Sequence, residues 1–149
     1  MTSSPDAKNR KLEIVGDVIV PNHILVSEAK EAIKNHFKKN VHHVACILVC
    51  NDRRYLGLHL DNQAFDICAE PVAISDALKH GESKFLKIVS VHWSGIKGEE
   101  PQIIIPCPNC KQIIFEHLPN VEVIIGEEAG KYKTIIGKDL NPHPYRKPM

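Results

Sequence analysis

The chain is poor in aromatic residues, at 5% of 149, and its net charge is only +1. Proteins that grip single-stranded nucleic acid need stacking platforms and basic grooves, so both shortages argue against a polynucleotide partner. No apolar run approaches the ~20 residues that span a bilayer. The first residues, Met-Thr-Ser-Ser-Pro-Asp-Ala-Lys, have none of the apolar core of a secretory signal. A cytoplasmic protein without a membrane partner is the expectation. Internal repeats and low-complexity tracts are also lacking.

What remains is an ordinary globular composition, 43% hydrophobic and 25% charged, at a length suited to one core. Residues 1–22 read as a polar, partly ordered extension, within which 11–20 has the pattern of a short strand or a docked arm. Residues 23–149 read as the domain. A helix is expected over 27–39, opened by Ser27 as N-cap with Glu28 and Glu31 near its positive end. Strand-like runs follow at 43–50 and 54–60, joined by a turn, and then a helix at 68–80 that stops near Gly81. Further strands are expected at 85–92 and 102–105, a third helix from Cys107 to before Pro119, and two last strands at 121–125 and 132–136. The tail from Asn141 holds Pro142, Pro144 and Pro148, which excludes a regular helix. Strands alternating with helices imply a layered α/β domain. The runs Ile103 to Ile105 and Val121 to Ile125 suggest strands buried on both faces.

Five cysteines are present, an odd number that cannot pair completely within the chain. Cys46 and Cys50 lie in the apolar run Val44 to Cys50 and read as small core residues. Cys107 and Cys110 form a Cys-x-x-Cys, compatible alone with a zinc knuckle, a redox pair or chance. A thioredoxin-like motif belongs early in its fold, whereas this one comes late. A zinc ribbon needs a second Cys-x-x-Cys, and the sequence has none. It has instead one further cysteine in Cys68-Ala-Glu-Pro71.

Three thiolates leave one position of a tetrahedral zinc open. Structural sites close all four positions, while catalytic sites keep one for water. Glu70, two residues beyond Cys68, then becomes the candidate proton shuttle on that open side. A ligand followed by x-Glu, with a later Pro-Cys-x-x-Cys, is the pattern of zinc deaminases.

On these residues the chain resembles the cytidine deaminase superfamily, its small free-nucleoside branch in particular. The likeness runs from about His42 to Tyr145. It includes Cys68-Ala-Glu70, Ile105-Pro-Cys-Pro-Asn-Cys-Lys-Gln112 and Ile136-Gly-Lys-Asp-Leu140. The resemblance implies a three-layer fold, a five-stranded mixed sheet covered by helices on both faces. It implies Zn2+ held by Cys68, Cys107 and Cys110, with Glu70 catalytic, and a homotetramer acting on a small aminated heterocycle or nucleoside. Substrate contacts are then expected from His43, His59, Asp61, Ala69 and Tyr145. The alternatives are a polynucleotide deaminase and a non-catalytic relative that keeps the metal. Members of this family carry Asn-x-Glu where this chain has His59-Leu-Asp61, and Arg where it has Pro71. Those differences bear on the substrate more than on the metal. For His43, His59 and Asp61 a plain surface role stays open, and for His92 and Trp93, at a strand end, the choice between pocket and core stays open.

Overall fold

The computed structural model describes residues 20–51 and 53–140. The expectations for residues 11–19, the tail from Asn141 and Tyr145 lie outside them. Three helices and six strands run in the order α1 (Asn22–His36), β1 (Val44–Cys50), β2 (Arg54–Leu58), α2 (Ala69–Lys79), β3 (Phe85–His92), β4 (Gln102–Ile103), α3 (Pro108–His117), β5 (Glu122–Glu128) and β6 (Lys131–Ile136). One mixed sheet has the order β2-β1-β3-β5-β6, with β4 attached to β3. Only β3 and β5 pair in parallel. Six strands match the six strand-like runs read from the sequence and are one more than the five that the resemblance implied. β5 occupies Lys87 to Val89 of β3, and the two-residue β4 takes up Val91 and His92 beyond it.

The sheet is covered on both sides, as expected, because side chains alternate along each strand. Cys46, Leu48, Cys50, Ile88 and Val123 pack under α2 and α3. Ala45, Ile47, Val49, Val89, Val91 and Ile124 pack under Leu25, Val26, Ala29 and Ile33 of α1.

Two local expectations are corrected. The first helix starts five residues early, at Asn22, and Ser27 lies inside it. Its start is fixed by tertiary contacts rather than by a cap. The nearly buried Lys87 of β3 donates to Asn22 Oδ1 at 2.5 Å and to the Val20 carbonyl at 3.3 Å. Pro21, with φ −61°, presents its carbonyl to the N–H groups of Ile24 and Leu25. The run Ile103 to Ile105 is not a strand buried on both faces, since β4 ends at Ile103 and Ile105 is 55% exposed. The chain leaves the sheet there to reach the start of α3, and apolar composition overstated its burial.

Candidate metal centre

Two helix starts meet over one end of the sheet. Cys68 is the N-cap residue of α2 and Cys107 that of α3, both extended in backbone and neither making a side-chain cap bond. The chain can begin helices here because proline sits where an N–H is not needed. Pro108 occupies the first position of α3 and Pro71 the first turn of α2. Gly57 of β2 brings α2 close. A Cβ built there stands 2.2 Å from the Ala69 carbonyl and 2.7 Å from the Ala73 nitrogen.

The three predicted thiols are brought together. Cys68 Sγ lies 3.6 Å from Cys107 Sγ, which lies 3.5 Å from Cys110 Sγ. All three fall within 4.8 Å of one another, the one group of this kind among the described residues. Zinc with Zn–S bonds of ~2.3 Å holds tetrahedral sulfurs about 3.8 Å apart. The cluster therefore fits zinc in donor type and in spacing. The N–H groups of both helix starts add positive potential where thiolate charge would collect.

Glu70 sits at the same place. It is 3% exposed, and the Cys110 thiol donates to its Oε1 at 3.6 Å. Burial, then the Glu70 charge, pushes the Cys110 thiol far above its usual range. Burial also raises Cys68. For Cys107 burial acts upward as well, but hydrogen bonds from the Cys110 and Asn109 backbone and from the neighbouring thiols outweigh it and lower the thiol. Three sulfurs and a carboxylate crowded together ask for a cation. Ala69 lies between Cys68 and Glu70, fully buried.

His43, His59 and Asp61 gather in a second cluster at the same end of the sheet, with His92 and Asp66. His43 lies 6.0 Å from His59 and 6.4 Å from His92, between ring centroids. His43 Nε2 accepts the Asn40 N–H and is 3.9 Å from Asp61 Oδ2. His59 Nε2 is 3.8 Å from Asp66 Oδ2, while its buried Nδ1 has no partner. The backbone links the clusters, since Leu60 and Ile67 bridge just before Cys68. Burial, then His43 and His59, lowers the His92 pKa. Trp93 is half-buried against the α1-side core; it packs edge-on against Phe37, which also meets His43 edge-on, and donates its indole N–H to the Glu99 carbonyl.

Sequence reasoning missed three neighbours of the site. Asp66 had no motif to mark it. Gly57 is a glycine inside a strand, a pattern that signals close backbone approach. Cys46 is buried as expected, yet it also feels Glu70: burial, then that carboxylate, raises its pKa.

Residues 21–127 match the family model for the cytidine and deoxycytidylate deaminase zinc-binding region. The chain is 29% identical over 126 residues to blasticidin-S deaminase of Bacillus cereus, covering 81% of this chain and 89% of that protein. Among solved structures, cytidine deaminase from Burkholderia pseudomallei aligns at TM-score 0.65 and 25% identity, covering 85% of this chain and all of that one. Cytidine deaminase from Bacillus anthracis aligns at TM-score 0.67 and 21% identity, covering 83% and 88%. This last likeness speaks for the fold.

Proposed function

The chain belongs to the cytidine and deoxycytidylate deaminase family and is a zinc-binding deaminase; from that premise we propose that it hydrolyses the amino group of a free cytosine nucleoside or a related aminated heterocycle, such as a nucleoside antibiotic. One observation carries this reading. A buried carboxylate, Glu70, stands beside the three-cysteine cluster with Oε1 3.6 Å from Cys110 Sγ.

Cys68, Cys107 and Cys110 are the residues that would hold the metal. Zinc, when bound, supplies the Lewis acidity that makes water a nucleophile near neutral pH. Glu70 does the proton work at its Oε atoms. It takes a proton from water as the oxygen adds to the amine-bearing carbon. It then delivers that proton to the ring nitrogen, and a second transfer lets ammonia leave. The closed packing of α2 on β2 keeps bulk water from competing for the carboxylate. His59 offers its unpaired Nδ1 to the substrate, with His43, Asp61 and Ala69 lining the approach. Tyr145 contributes from the tail.

Glu70→Gln tests the reading. The variant keeps its zinc, measured by metal analysis, and loses ammonia release by at least ~10²-fold. Equal activity would remove Glu70 from the mechanism. A panel of free nucleosides, nucleobases and short oligonucleotides then identifies the substrate class, and turnover only on oligonucleotide would overturn the nucleoside assignment.

We also infer a cytoplasmic homotetramer. Apolar side chains left exposed around α2 support it: Phe65 is 68% exposed, and Leu60, Val72 and Leu78 are also exposed. Light scattering of the zinc-loaded protein tests the assembly.

A further inference from the structure

β1 and β2 fall out of register at the end that carries His43 and His59. Ala45 pairs with Leu58, and the His59 N–H still reaches the Val44 carbonyl at 2.9 Å. The next bond, from the Asp61 N–H to the Val41 carbonyl at 2.9 Å, is one residue out of step. His42 and His43 therefore stand together opposite Leu60. Two residues against one make a β-bulge, which bends its strand and re-aims a side chain.

The backbone of His42 is engaged elsewhere. Its N–H donates to the Lys38 carbonyl at 2.9 Å and its carbonyl accepts the Lys38 N–H at 3.2 Å, closing a turn in which Asn40 has φ +63°. The His42 side chain meets the His59 carbonyl instead, with Nδ1 at 2.7 Å. A carbonyl oxygen only accepts, so the His42 ring proton toward it is on Nδ1. His43 carries its proton on the same atom for another reason, because its Nε2 accepts the Asn40 N–H at 3.1 Å. That Nε2 faces Asp61 Oδ2 across 3.9 Å with a lone pair, so the two do not form an ion pair. The ring hydrogen that His43 has left to give is the one on Nδ1.

We propose that His42 is a positioning residue for the His43–His59 pair: its Nδ1–H on the His59 carbonyl holds the bulge, which sets His43 6.0 Å from His59 and leaves His43 a single donor, Nδ1–H, for an acceptor on the substrate. The substrate part rests on the proposed reading of His43, His59 and Asp61 as substrate contacts; the bulge and the tautomers do not.

Long-range 1H–15N spectra of the zinc-loaded full chain, above the ordinary histidine pKa of about 6.5, read both tautomers. The expected result is a proton on Nδ1 of His42 and of His43. A neutral His42 with its proton on Nε2 would overturn the proposal. His42→Leu and His42→Asn then read the positioning role. Asn carries its amide nitrogen on Cγ, as histidine carries Nδ1, whereas Leu has no donor. His42→Leu should shift the His43 and His59 ring resonances and raise KM about tenfold, with kcat within about twofold and zinc content unchanged, the pattern of lost ground-state binding. His42→Asn should restore both. Unshifted rings with wild-type KM in the Leu variant, or no recovery in the Asn variant, would overturn the role. A chain that releases no ammonia from any substrate sinks the proposed function and leaves the tautomers and ring shifts to decide this inference.

Discussion

Gly57→Ala should damage the metal centre from a residue that carries no functional group. The added Cβ would stand 2.2 Å from the Ala69 carbonyl and 2.7 Å from the Ala73 nitrogen. Ordinary contact needs about 3.4 Å, so the backbones must separate by on the order of 1 Å. Both obstacles are main-chain atoms and cannot rotate aside. β2 is pinned to β1 by five register pairs from Ala45 and Leu58 to Val49 and Arg54. The start of α2 is therefore the part that yields, and it carries Cys68 and Glu70. Cys107 and Cys110 are on α3 and stay. Overpacking of this kind costs about 1–3 kcal/mol, which for a chain this long lowers Tm by roughly 2–12 °C. A displacement near 1 Å at the reacting groups costs on the order of 10²-fold in rate. The assay is kcat/KM for ammonia release, with zinc content after dialysis and a thermal melt. Gly126→Ala is the control, since nothing lies within 4 Å of a Cβ there. Wild-type activity and full zinc content in the Gly57 variant would refute the reasoning.

Cys110→Ser should lose zinc on dialysis against a mild chelator and melt at a lower temperature, as metal analysis and calorimetry will show; retention of stoichiometric zinc would exclude that thiol as a ligand. His59→Leu should raise Tm and at the same time raise KM, because a buried nitrogen without a partner costs about 1–3 kcal/mol and is kept for the substrate in this reading; a lower Tm with unchanged KM would make the residue structural. His92 is held below its ordinary pKa by burial, then by His43 and His59. The unfolded chain therefore takes up that proton first, and stability is lost as pH falls through the unfolded value of about 6.5. His92→Gln should accordingly lose less Tm than the wild type between pH 7.5 and pH 5; parallel losses would show that the imidazole is not strained.

The helices and strands were legible where periodicity and punctuation agree. Gly81, at φ +82°, ends the second helix region where a stop signal was expected. The start of α1 was not legible, because a local rule chose Ser27 while distant residues decide the matter. Lys87, 65 positions from Asn22, anchors the true start. The run Ile103 to Ile105 misled for a related reason. Apolar character reports a preference for burial, but the need to carry the chain from β4 to Cys107 exposes Ile105. The same limit hides Asp66, whose meaning comes only from His59 folding back upon it.

The metal cluster was legible because its information is local. Each half lies within four residues of chain at a helix start, where an extended N-cap residue, Cys68 or Cys107, precedes a first turn that carries Glu70 or Cys110. Only the meeting of the halves needs the fold, and the Cys68–Cys107 and Cys110–Glu70 contacts, both at 3.6 Å, satisfy that need. Substrate choice is written differently. On the proposed function it would rest on His43, His59 and Asp61, which come from just before β1 and from the loop after β2, beside His92 at the end of β3. Their mutual geometry exists only once β1 has paired with both neighbours. The catalytic pattern therefore tolerates Pro71 and Pro108 in helix first turns, where backbone donors are spare. The histidine cluster has no such margin. His59 Nδ1 is buried without a partner, and it is at this residue that the chain departs from the pattern of the family it resembles.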